Sequence, residues 1–374
     1  MSIDKREERV QSPAMKGVRQ PDKMTNTVPL AIIAVLLSGV ALYFMRSVVL
    51  PIILAIFFAA LARPLQLRLQ RFMPVALALV LTVSVTGAIF VALPILFATN
   101  LQVVIQRLPA YSDRFIELGR ELEGLAHRMG LEPSAFDLSS DKTVQALVGL
   151  ATNALEGLVD FTGTAILVLF LLVFLLAEAN VIREKLKVAL RPTNHAAVMT
   201  SVASMQEGIQ RYVTTKTLFA ALNAITAGVF TALLDIDFPL LWTLLTFILY
   251  FIPTFGAFIA TAPPVLLALV QFDSPTTAIV LTIGLILIFN ILGNVIEPRF
   301  LGKTLSLSPL VVFISLMFWG WYFGIIGVIL SVPLTVGIAI ICQNIEPLEP
   351  LSVLLADKPR RSSQESSRSV GDSS

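Results

Sequence analysis

Apolar residues in this chain come in long runs, and nearly all the charged residues lie in the segments between them, with Arg63 and Asp160 near run ends. Runs of this kind cover residues 28–45, 47–63, 75–98, 158–177, 218–234 and 276–292. Each is close to the ~20 residues that a helix needs to cross a hydrocarbon core about 30 Å thick. No water is available there to bond a free N–H or C=O, so the runs are predicted to be helices. The pattern predicts an all-α integral membrane protein, a multi-pass helical bundle.

Two further uncharged runs, 238–270 and 309–341, are too long for one span. A straight helix over either would measure about 50 Å. Each is broken near its middle, the first by Pro253-Thr254-Phe255-Gly256 and the second by the glycines Gly320, Gly324 and Gly327. Proline removes a helical hydrogen bond and glycine favours a turn. Each run is therefore expected to be a helical hairpin with its tip at Pro253 and Gly256, or at Gly324 and Gly327. Superposing the runs aligns Pro253 with Gly324 and Gly256 with Gly327. Aromatic residues precede both tips, Tyr250 and Phe251 in one and Trp321 and Tyr322 in the other. A plain span, 218–234 or 276–292, precedes each hairpin, which makes a helix-plus-hairpin unit used twice. Matched interrupted segments of this kind point to the repeats of a transporter.

Charge sets the expected topology. Residues 1–27 carry Lys5, Arg6, Arg9, Lys16, Arg19 and Lys23 and read as a disordered cytoplasmic arm with no cleavable signal; 346–374 reads as a disordered cytoplasmic tail. Arg63, Arg68 and Arg71 follow the second helix, and 178–216 is a basic amphipathic segment, so both are placed in the cytoplasm. Residues 99–157 are net acidic, lie outside, and carry Phe115, Leu118, Leu122, Leu125 and Met129 on one helical stripe. That stripe packs in the same chain or on a neighbouring subunit; a homo-oligomer is expected. Arg299 and Lys303 fall in the cytoplasm only if each hairpin enters and leaves on one side. The two re-entrant hairpins then face in opposite directions, an inverted repeat. Residues 28–98 hold membrane helices 1–3, 158–177 the fourth, and 217–345 the transport unit.

Composition narrows the function. With 56% hydrophobic and 14% charged residues, and a mean hydropathy of +0.83, the chain is far more apolar than a soluble domain. The net charge is +2, and the basic residues flank apolar runs instead of forming a nucleic-acid patch. His127, His195 and Cys342 are scattered and suggest neither a nucleophile–base pair nor a metal cage; no cofactor is expected. The chain has no phosphate-binding glycine loop, so no ATP-driven step is expected. The remaining chemistry is polar residues within apolar runs. Asn290, Asn294 and Glu297 are spaced 4 and 3 apart, on one face of a helix end. They are a patch for a solute or coupling ion, or else interhelical hydrogen bonds with an ion pair between Glu297 and Arg299. Thr254 at the first tip and Asn223 in the fifth helix are further candidates. Ser306 and Ser308 are placed as helix caps, and Asp235 and Asp237 as solvated loop residues.

Several of these stretches also carry a family resemblance. Gly293-Asn294-Val295-Ile296-Glu297-Pro298-Arg299-Phe300-Leu301-Gly302-Lys303, continuing to Pro309, resembles the signature of the autoinducer-2 exporter (AI-2E) family. So do Arg211-Tyr212 with Lys216, Phe251-Ile252-Pro253 with Gly256, and Phe318-Trp319-Gly320 leading to Val332-Pro333-Leu334. The family often has Asn where this chain has Thr254. The resemblance implies a multi-pass bacterial inner-membrane permease. Some members are linked to autoinducer-2 export and others to sodium–proton exchange. The function expected is efflux of a small polar metabolite, gradient-driven or passive. The alternatives are a monovalent cation–proton antiporter, with Glu297 as the ionisable residue, and a non-transporting membrane scaffold.

Overall fold

The computed structural model describes residues 39, 44–128, 141–189, 192–253, 255–301, 307–343 and 354–355. The first helix predicted at 28–45, the arm and tail, Thr254, Lys303 and Ser306 lie wholly or mostly outside them. The chain divides into a short N-terminal unit, 1–46, and a second unit, 47–374.

The described residues form helices joined by short turns. α1 is Arg46–Leu69 and α2 is Val75–Arg107. A 3-10 turn, Leu108–Tyr111, leads to α3, Ser112–Arg128. α4 is Asp141–Ala189, α5 is Pro192–Leu233, α6 is Pro239–Leu249 and α7 is Phe255–Gln271. α8, Thr276–Phe289, runs through a π-helical segment, Asn290–Ile296, into α9, Glu297–Leu301. α10 is Pro309–Phe323 and α11 is Ile325–Gln343. Five of the described helices are long and apolar enough to cross a membrane.

Two helices are longer than their apolar runs predict. α4 has 49 residues and α5 has 42, so the amphipathic segments and the spans they adjoin are continuous. The cause is local: no proline falls between Pro133 and Pro192, or between Pro192 and Pro239. Nothing in either stretch removes an N–H from the helical ladder. Pro51 lies inside α1 and is buried.

Both long runs break where predicted. α6 and α7 have 11 and 17 residues, α10 and α11 have 15 and 19, and the members of each pair pack on one another. At 1.5 Å per residue they measure roughly 16, 26, 22 and 28 Å, against a core of about 30 Å. The tips share one device. A Cβ at Gly256 would strike the carbonyl oxygen of Leu249, and a Cβ at Gly327 would strike that of Trp319. Each hairpin thus closes by laying a glycine on the last turns of its own first helix. Gly324 adds a backbone at φ +67°, a conformation that disfavours a side chain. Ser308 sits at the N-cap of α10, but its side chain makes no capping bond.

The packing centres on α5 to α8. Ala227, Leu241, Trp242, Leu267, Leu281 and Leu285 form one buried cluster with Leu101 of α2. A second joins Leu54 and Ala55 of α1, Phe90 of α2, Val168 of α4 and Leu330 of α11. α3 is tied to the base of the first hairpin. Tyr111 donates to the Asp237 carboxylate, and Arg114 donates to the Asp273 carbonyl oxygen at 3.4 Å. Gln271 accepts from the Asp237 N–H at 2.9 Å and donates to the Asp235 carbonyl at 2.7 Å. Asp237 is therefore a half-buried hydrogen-bonding residue, in place of the solvated one expected.

Candidate functional site

Polar chemistry gathers where α5, the first hairpin tip and the end of α8 meet. Glu297 is 5% exposed. Its Oε1 lies 3.1 Å from the Lys216 ammonium, and its Oε2 accepts from the Tyr250 hydroxyl at 2.6 Å. The Lys216 nitrogen also stands 4.3 Å from the centre of the Tyr250 ring. Taking two charges into a low-dielectric interior costs several kcal/mol per ion. Mutual attraction and the tyrosine hydrogen bond offset that cost. The site is thus electrically neutral as a unit, although it holds two full charges.

The backbone explains how Glu297 reaches this position. Residues 290–296 are wound as a π-helix, a form that often occurs at functional sites. Asn294 donates to the Asn290 side-chain oxygen at 2.8 Å, and Asn290 donates to the Ile286 carbonyl at 2.8 Å. These bonds brace the wide turn. Both asparagines stay exposed while Glu297 is buried. Gly293 lets Tyr250 approach, for a Cβ there would stand 2.8 Å from its hydroxyl oxygen. Arg211 donates to the Phe300 carbonyl at 3.1 Å and fastens the end of α9 to α5.

These groups border a cavity of about 420 Å³. Asn290, Asn294 and Glu297 line it together, with Lys216, Tyr250 and Tyr212 opposite. Pro253 and Thr261 of the first hairpin and Val332 of the second also line it, so both hairpins contribute. Such a space suits a small polar molecule and fits the usual size of a ligand pocket.

The residues singled out from sequence are distributed as follows. Asn290, Asn294 and Glu297 come together as their spacing predicts. Arg299 does not join them: it is exposed, and the cation beside Glu297 is Lys216, 81 positions upstream. Pro253 lines the cavity; Gly256 is buried in the hairpin, and Gly324 and Gly327 form the second tip. Asn223 is fully buried, donates to the Phe219 carbonyl at 2.8 Å, and does not line the cavity. Thr254 falls outside the described residues. Lys216, Tyr250 and Tyr212 were not among the predicted site residues. Their signal was present: Tyr212 and Lys216 are spaced i, i+4, and Lys216 is the last cation before the apolar run that leads to the first hairpin.

Long apolar helices, paired broken helices and a polar cavity between them define a multi-pass membrane transporter. Comparison with known proteins gives the family. The sequence profile of the AI-2E family transporter matches residues 30–346, and the chain belongs to that family. It is 31% identical over 332 residues to the AI-2 transport protein TqsA of Escherichia coli K12, covering 88% of this chain and 95% of that protein. It is also 28% identical over 337 residues to a putative transport protein of Haemophilus influenzae, covering 88% and 95%. The putative transport protein YhhT of Escherichia coli K12 is 28% identical over 344 residues, covering 90% and 96%.

Proposed function

We propose that this protein exports a small, uncharged polar metabolite of the autoinducer-2 type through the cavity beside Lys216 and Glu297. The observation that carries the reading is the internally neutralised ion pair in a cavity lined by two asparagines. A charged solute would leave one charge unmatched, whereas a neutral polar solute needs only the hydrogen-bonding groups of Asn290, Asn294 and Tyr250. The relative named as an AI-2 transport protein supports this choice of solute. A cation–proton antiporter would bring its cation to Glu297, a place that the Lys216 ammonium already occupies.

The proposal includes a topology. The protein sits in the bacterial inner membrane with both termini in the cytoplasm and residues 99–157 outside. The hairpins α6–α7 and α10–α11 enter from opposite faces as re-entrant halves of an inverted repeat, and the chain acts as a homo-oligomer. The basic segments and the short hairpin helices support this arrangement.

Flux into proteoliposomes tests the function. Autoinducer-2 is expected to cross in wild-type vesicles and to slow at least roughly tenfold with Asn294→Leu. Exchange of sodium for protons with no movement of autoinducer-2 would support the antiporter instead.

A further inference from the structure

Of the polar side chains that line the cavity beside Glu297, all but one are already bonded within the protein. Lys216 and Glu297 are paired, and Tyr250 gives its hydroxyl proton to Glu297. Thr261 donates to the Ala257 carbonyl at 2.8 Å, Asn290 to the Ile286 carbonyl and Asn294 to the Asn290 side-chain oxygen. Tyr212 is the exception. It is 7% exposed, yet its hydroxyl has no hydrogen-bond partner among the described residues. Its oxygen is not one of the unpartnered polar atoms sealed within protein, so the open part of Tyr212 faces the cavity that it lines. A buried tyrosine hydroxyl normally finds a partner, and one without a protein partner is satisfied by water or by a bound molecule.

Its place on α5 gives this hydroxyl a role. Tyr212 and Lys216 are spaced i, i+4, so Tyr212 stands one turn from the ion pair on the same helical face. In the proposed topology that is the cytoplasmic side of the pair, where an exported solute arrives first. We infer that the Tyr212 hydroxyl binds the solute and sets its specificity, by donating a hydrogen bond to a carbonyl or hydroxyl oxygen of a neutral polar molecule. The inference rests on the reading of this cavity as the solute path. It separates the two tyrosines of the wall. Tyr250 has given its proton to Glu297 and can only accept from a solute, whereas Tyr212 can donate. A solute that turns an apolar face toward α5 would leave that hydroxyl unpaired, and is rejected for that reason.

The test compares the wild-type chain with Tyr212→Phe in proteoliposomes, with autoinducer-2, ribose and xylitol as uncharged probes. For any probe that the wild type carries, the variant is expected to raise the half-saturation concentration roughly three- to tenfold, the worth of one neutral hydrogen bond. The maximal rate is expected to stay within about twofold, which marks a binding contact. The thermal unfolding midpoint is expected to be unchanged within error, because the hydroxyl bonds no described protein group. An unchanged half-saturation concentration for a carried probe would overturn the inference. So would a fall in the maximal rate alone, which would assign Tyr212 to the moving parts, or a clear fall in the midpoint, which would assign its hydroxyl to folding. If ribose or xylitol is carried and autoinducer-2 is not, the proposed solute fails, and a raised half-saturation concentration for the carried probe upholds Tyr212. Carriage of none of the three by the wild type would overturn both.

Discussion

The two hairpins are closed in the same way but hold different chemistry. In each, a glycine lies against a carbonyl of the preceding helix, Gly256 on Leu249 and Gly327 on Trp319. The first tip, at 250–253, delivers Tyr250 to the Glu297 carboxylate. The second turns on Gly324 alone, and its polar groups face one another. Trp319 donates to Thr335 at 3.1 Å, and the Thr335 and Ser315 hydroxyls lie 2.8 Å apart. One hairpin thus directs its polar atoms to the cavity and the other to its own interior. The glycine clasp is common to both hairpins, whereas the tyrosine–carboxylate hydrogen bond is made by the first.

The largest expected effects test what the hairpins share. Gly256→Leu and Gly327→Leu each place a side chain where backbone stands, and forced overpacking costs roughly 1–3 kcal/mol or more. Both variants are expected to reach the membrane and to lose flux below detection in a vesicle assay. Normal flux in either one would remove that hairpin from the mechanism.

Next comes the ion pair, which the first hairpin meets through Tyr250. Removing one partner of a buried pair typically costs about 3–5 kcal/mol. Lys216→Met and Glu297→Gln are each expected to lower the thermal unfolding midpoint and to suppress flux. The double variant is expected to recover much of the midpoint and none of the flux. A double-mutant cycle on the midpoint measures the coupling. Replacing Glu297 together with Arg299 is expected to show no such coupling.

Smaller effects separate the hairpins directly. Tyr250→Phe removes a hydrogen bond to a charged group, worth about 1.5–3 kcal/mol, and is expected to slow flux roughly tenfold. Thr335→Val removes neutral hydrogen bonds worth about 1 kcal/mol in the second hairpin. It is expected to lower the midpoint slightly and leave flux within about twofold. Equal flux losses from the two would erase the difference in role. Smallest of all, Arg299→Ala is expected to leave both measurements within error, because its side chain is exposed and is not the partner of Glu297.

Much of this was legible in the sequence, and for definable reasons. The broken helices could be read because proline and glycine act locally, and both tips fall where they predict. Asn290, Asn294 and Glu297 could be grouped because their spacing holds along one helix end, although the π-helical winding that buries Glu297 left no sign. Its partner was misread. Arg299 is two positions away and Lys216 is 81, and only the packing of α5 against the end of α8 decides between them. α4 and α5 run through both polar and apolar segments because polarity does not end a helix, whereas a break in the hydrogen-bond ladder does.

The central claim is that solute passes through the cavity bordered by Asn294, Glu297 and Tyr250. Solute protection of a single cysteine tests it most directly. Asn294→Cys is prepared with Cys342→Ser, so that the engineered thiol is the only one in the chain. A bulky thiol reagent is expected to modify it and to stop autoinducer-2 flux, and saturating autoinducer-2 is expected to slow the modification. Complete modification with flux unchanged would contradict the account.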